Sequence, residues 1–122
     1  MPLILFDQNT PRQLRRALIG HEIRTALQMG WDSLANGELI EAAENGGFDV
    51  MVSADQNLRY QQNLVGRRLA LVVLTTNHWD DIRPYADRVA AAVNAIQPGG
   101  YVTVAFDRPP LRRRPFNPSF KC

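Results

Sequence analysis

Hydrophobic positions along this chain form short apolar runs that are separated by longer stretches of mixed polarity. The apolar runs predict strands, because a few such residues in succession suit a buried strand. The mixed stretches carry apolar residues at helical spacing and predict helices between most of the strands. This alternation is typical of a three-layer α/β/α domain with a largely parallel five-stranded sheet. The predicted strands cover residues 3–6, 21–26, 48–53, 69–76 and 101–106.

Three predicted helices have recognisable ends. The first has Pro11 at its first helical position, where the missing amide hydrogen is not needed. The second ends at the Asn45-Gly46-Gly47 turn, and the last covers residues 82–96 with Pro84 in its first turn. Residues 56–64 suit a short helix or a turn. The predicted helix caps are Asn9 or Thr10, then Asn36, and finally Asp80 or Asp81.

Composition separates a folded body from a basic tail. The chain has 122 residues and is 45% hydrophobic, which is enough for one domain, predicted over residues 1–106. Residues 107–122 contain five basic residues, one acidic residue and four of the eight prolines, and they predict an extended or disordered tail. The longest apolar run is too short to cross a bilayer, so we expect a cytoplasmic protein without a membrane partner. The sequence leaves open whether it forms a homodimer.

The tripeptide Asp-Gln-Asn follows two of the apolar runs, at residues 7–9 and 55–57. Ligands of open parallel sheets bind at the carboxyl ends of the strands, where the strand order reverses. A strand order of 2-1-3-4-5 places Asp7 and Asp55 together at that point. Glu38 joins them if the loop before its helix folds over the same edge. Carboxylates without histidine or cysteine suit Mg²⁺ or Mn²⁺, and such a site predicts metal-assisted phosphodiester hydrolysis.

Each of these side chains also has an ordinary structural interpretation. Asn9 and Asn57 are typical helix caps, and an aspartate after a strand often closes a loop. Glu38 suits the positive end of its helix. Arginines of the first helix, which include Arg12, suit either a solvated surface or the backbone of a nucleic acid. The single cysteine, Cys122, excludes an internal disulfide.

Four segments of the chain resemble the small PIN-like proteins, a branch of the PIN nuclease superfamily. The segments are LILFDQNTPRQLRRAL, the Gly-His-Glu strand, NGELIEAAENGGFDV and SADQNL, and residues 50–55 fit a V-x-V-[ST]-x-D pattern that ends at Asp55. The resemblance covers roughly residues 3–75 and implies a metal-dependent ribonuclease, in several cases a toxin that a small antitoxin inhibits. It implies that Asp7, Glu38 and Asp55 are the catalytic, metal-binding acids. The candidate substrate-binding residues are Asn9, Arg12 and Asn57.

The resemblance is incomplete at two positions, and two other classes of protein stay open. Gln8 and Asn57 stand where the family often has acids, which lowers the charge of the predicted metal site. A non-catalytic PIN-like module that binds RNA or a protein is therefore one alternative. A receiver-like domain with Asp55 as phosphoacceptor is another. The receiver class also needs a lysine after the last strand, whereas the only lysine here is Lys121.

Overall fold

Five parallel strands form a single sheet in the computed structural model, which describes residues 3–56 and 67–106. The strand order is β2-β1-β3-β4-β5, and each neighbouring pair is parallel. The predicted α/β class is therefore confirmed, and the strand order is the one under which Asp7 and Asp55 are expected to be neighbours. The strands are β1 (Leu3–Phe6), β2 (Glu22–Thr25), β3 (Val50–Ser53), β4 (Ala70–Leu74) and β5 (Tyr101–Val104).

Helices cover both faces of the sheet, which gives three layers. The α-helices are α1 (Asn36–Asn45), α2 (Trp79–Ile82) and α3 (Ala86–Ala95), and 3₁₀ helices span Arg12–Ala17 and Arg83–Tyr85. Alternation along β1 separates two cores, because successive side chains of a strand point to opposite faces. Ile4 and Phe6 pack with the first 3₁₀ helix, α2 and α3, whereas Leu5 packs with α1. All residues of β3 and β4 are buried, as expected of central strands.

Two predicted helices differ in form from the expectation. The first is a 3₁₀ helix that begins at Arg12, with Pro11 at the N-cap position rather than inside the helix. The last, expected as one helix over 82–96, consists of a 3₁₀ turn and α3, and the short helix α2 precedes them. Pro84 lies in that turn, where it cannot donate the amide hydrogen bond that a continuous helix needs. His78, not an aspartate, occupies the N-cap position of α2, and Asp80 and Asp81 lie in its first turn.

Two predicted segments lie outside the described residues. They are most of the helix or turn expected at 56–64 and the whole of the tail at 107–122. Among the residues that the structure describes, none of the helices has the length and apolar character needed to cross a membrane.

Candidate active site at the carboxyl edge of the sheet

Asp7 lies directly after β1, at the point where the strand order reverses between β1 and β3. Its backbone N–H donates to the carbonyl oxygen of Val52 over 2.9 Å, so the strand pairing continues through this residue. Its Oδ1 accepts a hydrogen bond from the backbone N–H of Gln8 over 2.8 Å. Its Oδ2 accepts one from the hydroxyl of Ser53 over 2.9 Å. The carboxylate is thus held in place by both β1 and β3.

Ser53 connects the two aspartates that the sequence predicts at this edge. It is the last residue of β3, and its side chain is fully buried. While its Oγ donates to Asp7, the same oxygen accepts a hydrogen bond from the backbone N–H of Asp55 over 3.1 Å. One hydroxyl therefore contacts a side chain at the end of β1 and the backbone beyond β3. No role is predicted for Ser53 from the sequence, although the hydroxyl position of the V-x-V-[ST]-x-D pattern is the signal that marks it.

Asp55 is positioned by the beginning of α1. Oδ2 of Asp55 accepts a hydrogen bond from the side-chain amide of Asn36 over 2.7 Å. Asn36 is the first residue of α1, and Ala35, not Asn36, occupies the N-cap position. The predicted capping role of Asn36 is therefore wrong, because its side chain bonds to Asp55 instead. The same contact shows that the loop before α1 does reach the carboxyl edge.

Glu38 uses its carboxylate to stabilise the start of α1. Its Oε1 accepts a hydrogen bond from the backbone N–H of Ala35 over 3.0 Å, which is the contribution of the third helical residue to a capping box. Residues 3–56 and 67–106 contain no group of three or more Asp, Glu, His or Cys side chains that could hold a metal ion. The Ser53 hydroxyl thus connects the Asp7 carboxylate to the backbone of Asp55, whereas the Glu38 carboxylate bonds to the backbone of Ala35.

Asn9 and Thr10 fasten the loop after β1 to β3. Oδ1 of Asn9 accepts a hydrogen bond from the backbone N–H of Ala54 over 2.9 Å. The buried hydroxyl of Thr10 donates to the carbonyl oxygen of Val52 over 2.8 Å. The 3₁₀ helix that follows has Pro11 at its N-cap position and no side-chain cap from the part of the chain that the structure describes, so the predicted capping roles of Asn9 and Thr10 are wrong. Both side chains instead hold the backbone that carries Asp7.

Arg12 shares a cavity with Asp7. The cavity has a volume of about 370 Å³ and is lined by Asp7, Gln8, Thr10, Arg12, Thr25 and Leu27. Arg12 also lines a shallow groove of about 290 Å³ together with Gln13, Arg15 and Arg16. An exposed arginine therefore lies between the candidate acid and two further cations. Asn57, the remaining predicted substrate-binding residue, lies outside the described residues.

Two other cavities have different surroundings. One of about 500 Å³ lies beyond β4 and is lined by Thr75, Thr76, Asp80, Asp81, Pro84, Tyr85 and Phe106. Gln56 reaches towards it and donates from Nε2 to the carbonyl oxygen of Thr75 over 3.1 Å. The second, of about 510 Å³, includes His21 and Asp49 and contains none of the predicted site residues. Cavity size alone therefore does not select the candidate site.

The side chains at the switch point fit a hard cation. Asp7 and Asp55 carry carboxylate oxygens, and the hydrogen bonds described for these oxygens come from the Gln8 N–H, the Ser53 hydroxyl and the Asn36 side-chain amide. Mg²⁺ is commonly bound through one or two carboxylates, with waters and substrate phosphate completing its coordination.

Comparisons of the chain with protein-family models, with curated proteins and with solved structures find no match. The fold and the site define its class by themselves. It is an all-parallel, three-layer α/β domain with two aspartates at the topological switch point.

Proposed function

We propose that this protein is a metal-dependent ribonuclease of PIN-like type, in which Asp7 and Asp55 bind Mg²⁺ or Mn²⁺. The observation that carries the proposal is the position of both aspartates after β1 and β3, where the buried Ser53 hydroxyl contacts the Asp7 carboxylate and the backbone N–H of Asp55. Parallel α/β sheets bind their ligands at this place. The resemblance of the sequence to PIN-like proteins supports the choice of RNA as substrate.

The chain's own residues divide the work of the proposed reaction. A divalent ion bound at this site would supply positive charge to the phosphodiester. Asp7 and Asp55 would hold that ion, and Ser53 and Asn36 fix the two carboxylates through hydrogen bonds. Arg12 binds a phosphate of the RNA beside Asp7, because both residues line the same cavity. In this proposal Glu38 stabilises α1 and does not contact the ion.

Calorimetric titration with Mn²⁺ tests the metal site. We expect one site in the wild-type chain, and we expect Asp7→Asn and Asp55→Asn each to abolish it. Asp87→Asn is the matched control, because Asp87 is an exposed aspartate in the first turn of α3, away from the switch point. Unchanged Mn²⁺ binding in both site variants contradicts the proposal.

Cleavage assays with structured and single-stranded RNAs test the reaction. We expect cleavage with Mg²⁺ or Mn²⁺ that stops on addition of a chelator and in both site variants. Binding of metal and RNA without cleavage of any RNA identifies the non-catalytic PIN-like module instead. The proposal includes a small antitoxin as protein partner of a toxic nuclease. We therefore expect expression of the wild-type chain to arrest growth and expression of Asp7→Asn not to do so.

A receiver-like phosphoacceptor domain is the second candidate, and the strand order favours it. The order 2-1-3-4-5 is that of flavodoxin-like folds, which include receivers. Asp55 follows β3 and Thr75 follows β4, as that class requires. However, the hydroxyl of Thr75 accepts a hydrogen bond from the N–H of Phe106 over 3.3 Å, and residues 1–106 contain no lysine. Incubation with acetyl phosphate and Mg²⁺ decides: a phosphoryl group on Asp55 in the mass spectrum identifies a receiver.

A further inference from the structure

Strand β2 lies at one edge of the sheet, and most of its backbone hydrogen-bonding groups already have partners within the chain. β2 pairs only with β1, and beyond the strand the N–H of Ala26 donates to the carbonyl oxygen of Phe6 over 2.9 Å. Alternate residues of a parallel strand direct their backbone groups to the same neighbour. Glu22 and Arg24 therefore face β1 with their backbone, as Ala26 does, whereas Ile23 and Thr25 direct theirs to the open edge.

Of these two outward-facing residues, Thr25 is already satisfied within the chain. Its N–H donates to Oε1 of Gln28 over 2.9 Å, and its carbonyl oxygen accepts from the N–H of Met29 over 3.2 Å. Ile23 is left, and the described residues provide no partner for its outward N–H and C=O. The open edge thus presents one donor and one acceptor, both from Ile23.

Side chains of opposite charge flank Ile23 on β2. Glu22 and Arg24 precede and follow it, and alternation along the strand places both on the same face. Their side chains are about half exposed, 54% for Glu22 and 50% for Arg24, and they form an ion pair with each other. A two-fold rotation about an axis through Ile23 reverses the direction of the strand, so it brings Arg24 to the position of Glu22 and Glu22 to the position of Arg24.

The apolar side chains follow the same symmetry. Ile19 is 88% exposed and Leu27 is 68% exposed, and these are the large hydrophobic residues that the described part of the chain leaves exposed. Ile19 lies four positions before Ile23, and Leu27 lies four positions after it. The chain turns at Gly20, with φ of 89°, and again after Thr25. The two apolar residues therefore flank the short strand at its two ends.

We propose that β2 is a self-association surface, on which a second copy of this chain adds its own β2 antiparallel about a two-fold axis at Ile23. In an antiparallel pair, directly opposite residues can exchange both backbone hydrogen bonds, which satisfies Ile23 of each copy. Glu22 of each copy then lies opposite Arg24 of the other copy. At each end of the paired strands, Ile19 of one copy lies near Leu27 of the other. A two-fold interface requires this self-complementarity, whereas an unrelated extended peptide does not.

Charge reversal with mixing tests the proposal on the full chain by sedimentation velocity. Glu22→Arg produces two arginines on each β2, and Arg24→Glu produces two glutamates, so each variant alone places like charges opposite each other. We expect each to raise the dissociation constant of the dimer by at least about tenfold. Mixing the two variants places opposite charges together and is expected to restore dimers to within about threefold of the wild-type constant.

The mixture separates pairing between copies from the ion pair within one chain. Each variant loses the internal Glu22–Arg24 pair, and mixing cannot restore it, so a heterodimer arises only from contacts between copies. Glu41→Arg is the matched control, because Glu41 is an exposed glutamate on α1, and it should leave the dimer unchanged. A wild-type chain that stays monomeric at the highest concentration reached overturns the proposal. So does a dimer that neither variant weakens, or a mixture that stays monomeric.

Discussion

Ser53 donates a hydrogen bond from its Oγ to Oδ2 of Asp7 over 2.9 Å, although 46 positions separate the two residues in the sequence. The hydroxyl is fully buried, and it also accepts the N–H of Asp55. Asp7 follows β1 and Asp55 follows β3, on either side of the switch point. The Ser53 hydroxyl therefore fixes the position of one candidate metal ligand relative to the other. Its removal therefore affects both the fold and the site.

We expect Ser53→Ala to lower the free energy of unfolding by about 1–3 kcal/mol, because the partly buried N–H of Asp55 and the Asp7 carboxylate each lose a partner. Mn²⁺ affinity should fall by about 10- to 100-fold, the usual effect of removing a residue that orients a metal ligand. Urea unfolding and calorimetry measure the two effects. Ser33→Ala removes an exposed hydroxyl and serves as the control. Wild-type values in both measurements would show that Ser53 does not orient Asp7.

Glu38→Ala separates the capping role of Glu38 from metal binding. The change removes the acceptor for the N–H of Ala35, so we expect the free energy of unfolding to fall by about 0.5–2 kcal/mol. Mn²⁺ affinity should remain that of the wild type. Glu41→Ala, at an exposed position inside the same helix, should change neither quantity by more than about 0.5 kcal/mol. Loss of Mn²⁺ binding in Glu38→Ala, without loss of stability, would instead identify Glu38 as a ligand.

Arg12→Ala tests the proposed contact between Arg12 and the RNA backbone. Because Arg12 lines the cavity that contains Asp7, we expect weaker binding of single-stranded RNA and a dependence of log Kd on log salt that is shallower by about 0.7. Fluorescence anisotropy over a range of salt concentrations measures both. Arg83→Ala removes an exposed arginine beside α2 and should leave the slope unchanged. Equal slopes for the wild type and Arg12→Ala argue against this contact.

Gly99→Ala tests the turn before β5. Gly99 has a φ of 77°, and an added Cβ would lie 2.6 Å from the carbonyl oxygen of Arg67. Gly20 has a similar φ of 89° with no atom near its Cβ position, so it isolates the backbone strain, about 1–2 kcal/mol. We expect Gly99→Ala to lose a further 1–3 kcal/mol or so relative to Gly20→Ala. Equal losses of thermal stability in the two variants would contradict the close contact.

The sheet and the aspartate pair follow from features that the sequence displays openly. Five apolar runs with helical stretches between them predict parallel strands, and Asp7 and Asp55 follow two of those runs directly. Once the order 2-1-3-4-5 is assumed, their proximity requires only that β1 and β3 are neighbours. Nothing beyond local pattern and the general rule for parallel sheets is needed for this part of the structure.

The hydrogen bonds that hold the two aspartates in place could not be predicted from the sequence. Each of these side chains can bond either to a residue nearby in the sequence or to a distant one. Asn36 has the sequence of a helix cap, yet its amide bonds to Asp55, 19 positions away. Asn9 likewise bonds to Ala54 rather than to the helix that follows it. Ser53 ends a strand that is otherwise apolar, where a small hydroxyl residue gives no sign of its partner. Only the packed sheet decides between these alternatives.

The hydrogen bonds of Thr10, Asn9 and Asp7 to β3 or its exit span 42, 45 and 46 positions. Contacts of such large sequence separation form only after a long loop has closed, which slows their appearance during folding. The candidate site should thus be absent from any early collapsed species and appear together with the β1–β3 pairing. Its amide protons at Asp7 and Ala54 should consequently exchange with solvent by global unfolding and not by local opening.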